Sequence, residues 1–116
     1  MRDTPTLLNL VQSSLAAYRE ETGDHNPVCR LLTSAVNAEA WGIVSAQCQD
    51  SLKDFFTRRM MSDEAEDALR QLGKAAEELR VECGQPLATW STSIGRWVMG
   101  DVAIGAWTLV GWKTHL

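Results

Sequence analysis

The chain has 116 residues, 45% of them apolar and 22% charged, with a formal net charge of −4. This globular balance excludes a disordered, collagen-like or low-complexity chain, and the length suits one domain around one hydrophobic core. The acidic sign argues against nucleic-acid binding through the overall field, because phosphate neutralisation needs clustered Lys and Arg.

The N-terminal stretch Met1-Arg2-Asp3-Thr4-Pro5 has no basic run followed by an apolar one, so no secretory signal is expected. Three prolines, in Thr4-Pro5, Asn26-Pro27 and Gln85-Pro86, each follow a polar residue and precede a helical pattern. Proline at a first helical position sacrifices no hydrogen bond. Thr4 and Asn26 are good N-caps and Gln85 a weaker one. Gly23 and Gly84 stand where the preceding helices should end.

The first helix is expected from about Pro5 to Thr22, with Leu7, Leu8, Val11, Leu15 and Tyr18 on one apolar face. Gly23-Asp24-His25-Asn26 reads as a turn. From Pro27, the residues Val28, Leu31, Leu32, Ala35, Val36, Ala40, Ile43, Val44, Cys48, Leu52, Phe55 and Phe56 keep helical periodicity. This run is about 30 residues, long for one globular helix. It predicts one bent helix or two shorter ones, broken at Gly42 or around Gln49-Asp50-Ser51. After Met60-Met61-Ser62, Asp63 with Glu66 gives a capping-box-like start. Ala65, Ala68, Leu69, Leu72, Ala75, Ala76 and Leu79 form the next stripe, with Glu66 and Arg70 as an i,i+4 pair.

From Pro86, the spacing of Leu87, Trp90, Ile94, Trp97 and Val98 predicts another helix. The alternative is a β-hairpin that uses Val102 to Trp112 as strand; Gly95, Gly100, Gly105 and Gly111 argue against an exposed helix. The uncharged stretch from Val102 to Trp112 is 11 residues, against roughly 20 needed to cross a bilayer, so no membrane span is expected. No repeat or linker marks a second domain. The expected fold is all-α: a single small bundle of four to five helices over residues 1–116, with its C-terminal segment helical, irregular or a hairpin.

Chemistry-bearing constellations are sparse. His25 and Cys29 are four apart, and Cys48, Cys83 and His115 would have to complete a metal site without the close pairs that zinc sites usually show. The expectation is no metal, no cofactor and three reduced thiols at Cys29, Cys48 and Cys83, consistent with a cytoplasmic protein. There is no nucleophile elbow, P-loop or dinucleotide fingerprint, and no base stands beside a nucleophile in an orienting pattern; no enzymatic activity is expected. Arg58-Arg59 is the only basic doublet, and an acidic segment follows it, so a DNA-reading helix is not expected either.

Aromatic placement is more informative. Four of the five tryptophans, Trp90, Trp97, Trp107 and Trp112, lie near the C-terminus, and indole is enriched at interface hot spots. Phe55, Phe56, Met60 and Met61 form a second cluster, and methionine adapts readily at interfaces. Phe55 and Phe56 are adjacent, so both cannot point along one narrow helical stripe. The partner-binding candidates are therefore Phe55, Phe56, Met60, Met61, Trp107 and Trp112, with the acidic face around Glu77, Glu78 and Glu82 as the alternative. The expected function is non-enzymatic protein–protein contact: an inhibitor or anti-activator that masks a larger regulatory protein and that also forms a homodimer. A ligand-binding or enzymatic bundle with a tryptophan-lined pocket, or a structural subunit of an assembly, is the alternative.

In size, acidity, helical content and the apolar segment from Pro86 to Leu116, the chain resembles the small helical anti-activators of bacteria that bind LuxR-type quorum-sensing transcription factors and block their DNA binding. The resemblance implies a protein partner of the transcription-regulator class and an interface that masks its dimerisation or DNA-binding surface. It carries over no individual residue.

Overall fold

A computed structural model describes residues 3–99 and 102–104 of the chain. Five helices come first: α1 (Thr4–Thr22), α2 (Pro27–Asn37), α3 (Trp41–Lys53), α4 (Phe55–Arg59) and α5 (Asp63–Cys83). Three short strands follow, β1 (Thr89–Ser91), β2 (Arg96–Met99) and β3 (Val102–Ile104), forming an antiparallel sheet in the order β1-β2-β3. The helical bundle expected from the sequence is present. No described helix is long and apolar enough to cross a membrane.

α5 is the centre of the bundle and packs along both α1 and α3. All seven residues of its predicted stripe, Ala65, Ala68, Leu69, Leu72, Ala75, Ala76 and Leu79, are buried. Four are alanines, which let the neighbouring backbones come close. Gly73 continues this approach: a Cβ placed there would lie 2.9 Å from Cys48 Cβ. α1 contributes Leu7, Val11, Leu15 and Tyr18 as expected, while Leu8 turns outward and Ser14 takes an inward place. The Ser14 hydroxyl is satisfied by donating to the Leu10 carbonyl at 2.6 Å.

The helix starts follow capping chemistry. Asn26 accepts from the Cys29 amide, as expected. α1 begins one residue earlier than its reading, with Asp3 at the cap position and Pro5 in the first turn. Ser62, not Asp63, caps α5: its hydroxyl accepts from Ala65 N at 3.1 Å and donates to Glu21 at 2.8 Å. Asp63, Glu64 and Glu66 then sit in the first turn, where the helix dipole favours negative charge. The Glu66–Arg70 pair forms at 2.9 Å.

The long periodic run from Pro27 is three helices, broken at neither predicted place. The first break is at residues 38–40, where Glu39 takes a left-handed φ of 55°. Gln85 explains it. Its side-chain amide donates to the Glu39 carbonyl at 2.8 Å and accepts from Gly42 N at 3.2 Å. α3 has no capping side chain of its own, since Ala40 occupies the cap position. Gln85, expected to cap a helix that followed it, instead caps α3 from 43 residues away. Gln85→Ala should therefore cost about 1 kcal/mol in denaturant unfolding, the usual loss of a cap; no change in the midpoint would refute the assignment. The second break falls at Asp54, which ends α3 and starts α4 by accepting from Thr57 N at 2.8 Å.

The helix expected over Leu87 to Val98 is corrected to a β-hairpin. The seven-residue separation of Trp90 and Trp97 fits two helical turns, but the residues are directly paired across β1 and β2. Their rings meet edge to face with centroids 5.4 Å apart, a favourable aromatic geometry. Gly95, at a φ of 64°, supplies the turn conformation that side chains disfavour, and its amide donates to Ser91 O at 2.8 Å. The alternative hairpin strand, Val102 to Trp112, is represented by β3; residues 105–112 lie outside the described residues.

Candidate functional site

Helix α4 is the local exception to an otherwise well-buried bundle. It is five residues long and none of its residues is buried. Phe55, Phe56 and Met60 are 56%, 76% and 88% exposed. Isolated exposed apolar residues are ordinary, but a contiguous group is not. Phe56 and Met60 are four apart and share one side of the turn, as do Phe55 and Arg59. The Arg59 guanidinium stands 5.1 Å from the centroid of the Phe55 ring, and the two phenyl rings meet edge to face at 5.9 Å. An apolar row thus runs beside a cation–aromatic row. The Asp54 carboxyl is held below its usual range by the Thr57 amide it accepts from, so it remains a charged cap.

Met61 differs from its three companions. It is half-buried and packs against the core, where it anchors the turn beneath α4. The expected four-residue surface cluster is therefore three exposed side chains on one anchor. Trp107 and Trp112 lie outside the described residues.

The other indoles divide. Trp97 is 6% exposed, and its Nε1 donates to Gln47 Oε1 at 2.9 Å; Gln47 Nε2 in turn donates to Ser51 Oγ at 2.9 Å. This buried polar chain ties β2 to α3 and makes Trp97 core. Trp90 is half-exposed and, with Leu87 and Ile94, forms an apolar margin along the hairpin. Trp90 and Trp97 line a cleft of about 280 Å³ with Ala46, Gln49, Asp50 and Lys53. Leu87 and Ile94 were not among the sequence candidates, because a helical reading placed them on a core-facing side. Trp41, 3% exposed at the start of α3, was likewise absent from the predicted core.

The carboxylates of the acidic face are engaged within the fold. Glu77 accepts from Ser45 Oγ at 2.8 Å and is gripped by both ends of the Arg80 guanidinium. The Arg80 hydrogen bonds hold its carboxyl below the usual range, aided by Ser45 and opposed by partial burial. Glu82 accepts from Thr4 Oγ1 at 2.8 Å. These residues join α5 to α3 and α1. An open groove of about 430 Å³ lies between α3 and α5, lined by Cys48, Leu52, Arg70, Gly73, Lys74 and Glu77 among others. Burial drives the Cys48 thiol far above its ordinary value, so the groove presents no nucleophile there. Cys29 and Cys48 are buried, Cys83 is exposed, and all three are free thiols. No group of three potential metal ligands is found among the described residues.

The chain matches no family model, no curated protein and no solved structure.

Proposed function

We propose that this chain is a non-enzymatic protein-binding module that docks through the α4 tip and masks a larger regulatory protein, as an anti-activator masks a transcription factor. The observation that carries this reading is the exposure of Phe55 and Phe56 on a helix that buries nothing, and of Met60 just after it. Leaving such a row in water forgoes roughly 1.5–3 kcal/mol for each large side chain, which a partner surface would recover. Trp107 and Trp112 belong to the same proposal as a second contact. Homodimer formation is part of it too, supported by the apolar margin of Leu87, Trp90 and Ile94. The free thiols support the cytoplasm as the place of action.

Exposure makes the test clean. Phe56→Ala removes no core contact, so folding stability should change by less than about 0.5 kcal/mol. Truncation of an interface anchor costs about 2 kcal/mol or more of association. Sedimentation equilibrium and retrieval of the native partner, compared between wild type and Phe56→Ala, should therefore show at least about a tenfold loss of association with an unchanged melting temperature. Unchanged association, or loss of the fold, would defeat the reading. A second reading, a bundle with a tryptophan-lined ligand pocket, has the cleft beside Trp90 and Trp97 in its favour.

A further inference from the structure

The tip of α4 carries charge as well as apolar surface, and the charge selects a partner. Lys53, Arg58 and Arg59 are exposed around Phe55, Phe56 and Met60. None of the three cations makes an ion pair among the described residues. The nearest carboxylate in sequence, Asp54, is occupied as the cap of α4. A chain with a net charge of −4 thus places three cations, without an ion pair among the described residues, around an exposed apolar feature.

We infer that the α4 tip binds an acidic, amphipathic segment of a protein partner, one whose apolar row covers Phe56 and Met60 while flanking carboxylates engage Arg58 and Arg59. This rests on the docking reading above and adds the chemistry of the occupant. Guanidinium groups favour carboxylates because two parallel N–H donors match two acceptor oxygens. Arg59 is already oriented by its stacking over Phe55, so less conformational freedom is lost when it is engaged. Charge complementarity at such a rim mainly sets partner choice and association rate.

An anionic bilayer would share the sign but not the shape. Asp50, Asp63 and Glu64 are exposed on the segments that flank the tip. A flat anionic surface brought to Phe56 would bring phosphates toward these carboxylates as well, within the roughly 8–10 Å over which charges are felt in physiological salt.

The test uses the full chain with isotopic labelling and two synthetic helical peptides of about four turns. Both have leucine along one face. One has glutamate on the flanks, and the other has lysine in each of those places. Phosphatidylcholine vesicles containing phosphatidylserine are the third probe. At low salt, the glutamate peptide should bind at least about ten times more tightly than the lysine peptide, with amide shifts centred on Phe55 to Met60. The preference should vanish in the Arg58→Gln/Arg59→Gln double variant and in high salt. Phe56→Ala should weaken both peptides.

Equal binding of the two peptides at the tip would overturn the charge assignment while leaving the docking reading intact. Binding of neither peptide, or shifts elsewhere on the surface, would overturn the inference. Association of the tip with the vesicles in preference to the glutamate peptide would replace it with a membrane role. Because all the substituted residues are exposed, a lowered melting temperature in Phe56→Ala would instead count against the docking reading itself.

Discussion

Gly42→Ala is expected to release the hairpin from α3 and cost about 3 kcal/mol or more of stability. Inside a helix this substitution ordinarily helps, by up to about 1 kcal/mol, because alanine restricts the unfolded chain and glycine does not. Here a Cβ at Gly42 would lie 2.1 Å from the Pro86 carbonyl oxygen and 3.2 Å from Met99 Sδ. The first contact is with backbone and cannot be relieved by a rotamer change. The segment is also fastened at that point, since Ala88 N donates to Gly42 O and Gln85 accepts from Gly42 N. Relief requires residues 85–88 to move away, taking Trp97 and Met99 out of their sites against α3. Burial of one large aromatic side chain is worth about 3–5 kcal/mol by truncation, which outweighs the gain in propensity. Tryptophan emission should shift to the red and hairpin amides should lose exchange protection, while the helical circular dichroism persists. An unchanged or raised unfolding midpoint would show that the close approach is not a constraint.

Raising the pH from 7 to 10.5 is expected to remove about 3 kcal/mol of stability, through two core groups that must stay neutral. Tyr18 is 2% exposed, and its hydroxyl is pushed up to about 12, first by burial and then by the nearby Cys29 and Cys48 thiols. Burial also drives the Cys48 thiol well above its ordinary value. A raised native value means that the folded state holds its proton where the unfolded chain has released it. The stabilisation is therefore complete below the unfolded values, near 8.5 for Cys and 10 for Tyr, and falls as pH rises through them toward the native values. At pH 10.5 the thiol accounts for about 2–3 kcal/mol of the loss and the phenol for under about 1 kcal/mol. Denaturant melts across this range, repeated for Tyr18→Phe, provide the check. The variant should follow the wild type up to about pH 10 and lose stability less steeply above it. A flat profile to pH 11 would place neither group in the core.

The two substitution series separate packing from docking. Gly42 lies where two backbones meet, so its effect is read in stability. Phe56 projects from a helix that buries nothing, so its effect is read in association. That Phe55 and Phe56 leave the apolar stripe was legible in the sequence, because they are adjacent and cannot both face one side, but the break at Asp54 that starts α4 was not. That Met61 anchors this turn rather than joining its exposed row was not, since three- and four-residue spacing says nothing about which neighbour lies beneath. The margin of Leu87, Trp90 and Ile94 was hidden for a related reason: the spacing that suggests two turns of helix also pairs Trp90 with Trp97 across a hairpin.

By itself the sequence determined the helical part of the bundle wherever local rules suffice. The alternation along α5, the Asn26 cap, the helix-ending Gly84 and the Glu66–Arg70 pair are contacts between residues a few positions apart, and their energetics are set by spacing alone. The tertiary structure decided what depends on distant residues. The periodic run from Pro27 does not itself break at Glu39. The break is held by the Gln85 side chain, which takes up the Glu39 carbonyl and the Gly42 amide from another part of the chain. Likewise, the apolar spacing over Leu87 to Val98 suits a helix as well as a hairpin, and Gly95 alone marks the turn. The choice follows from docking on α3, where Trp97 finds a hydrogen-bond acceptor in Gln47 and Gly42 leaves room for the Pro86 backbone. A buried donor must find an acceptor and two backbones cannot share one space, and both conditions are met only once the elements are packed.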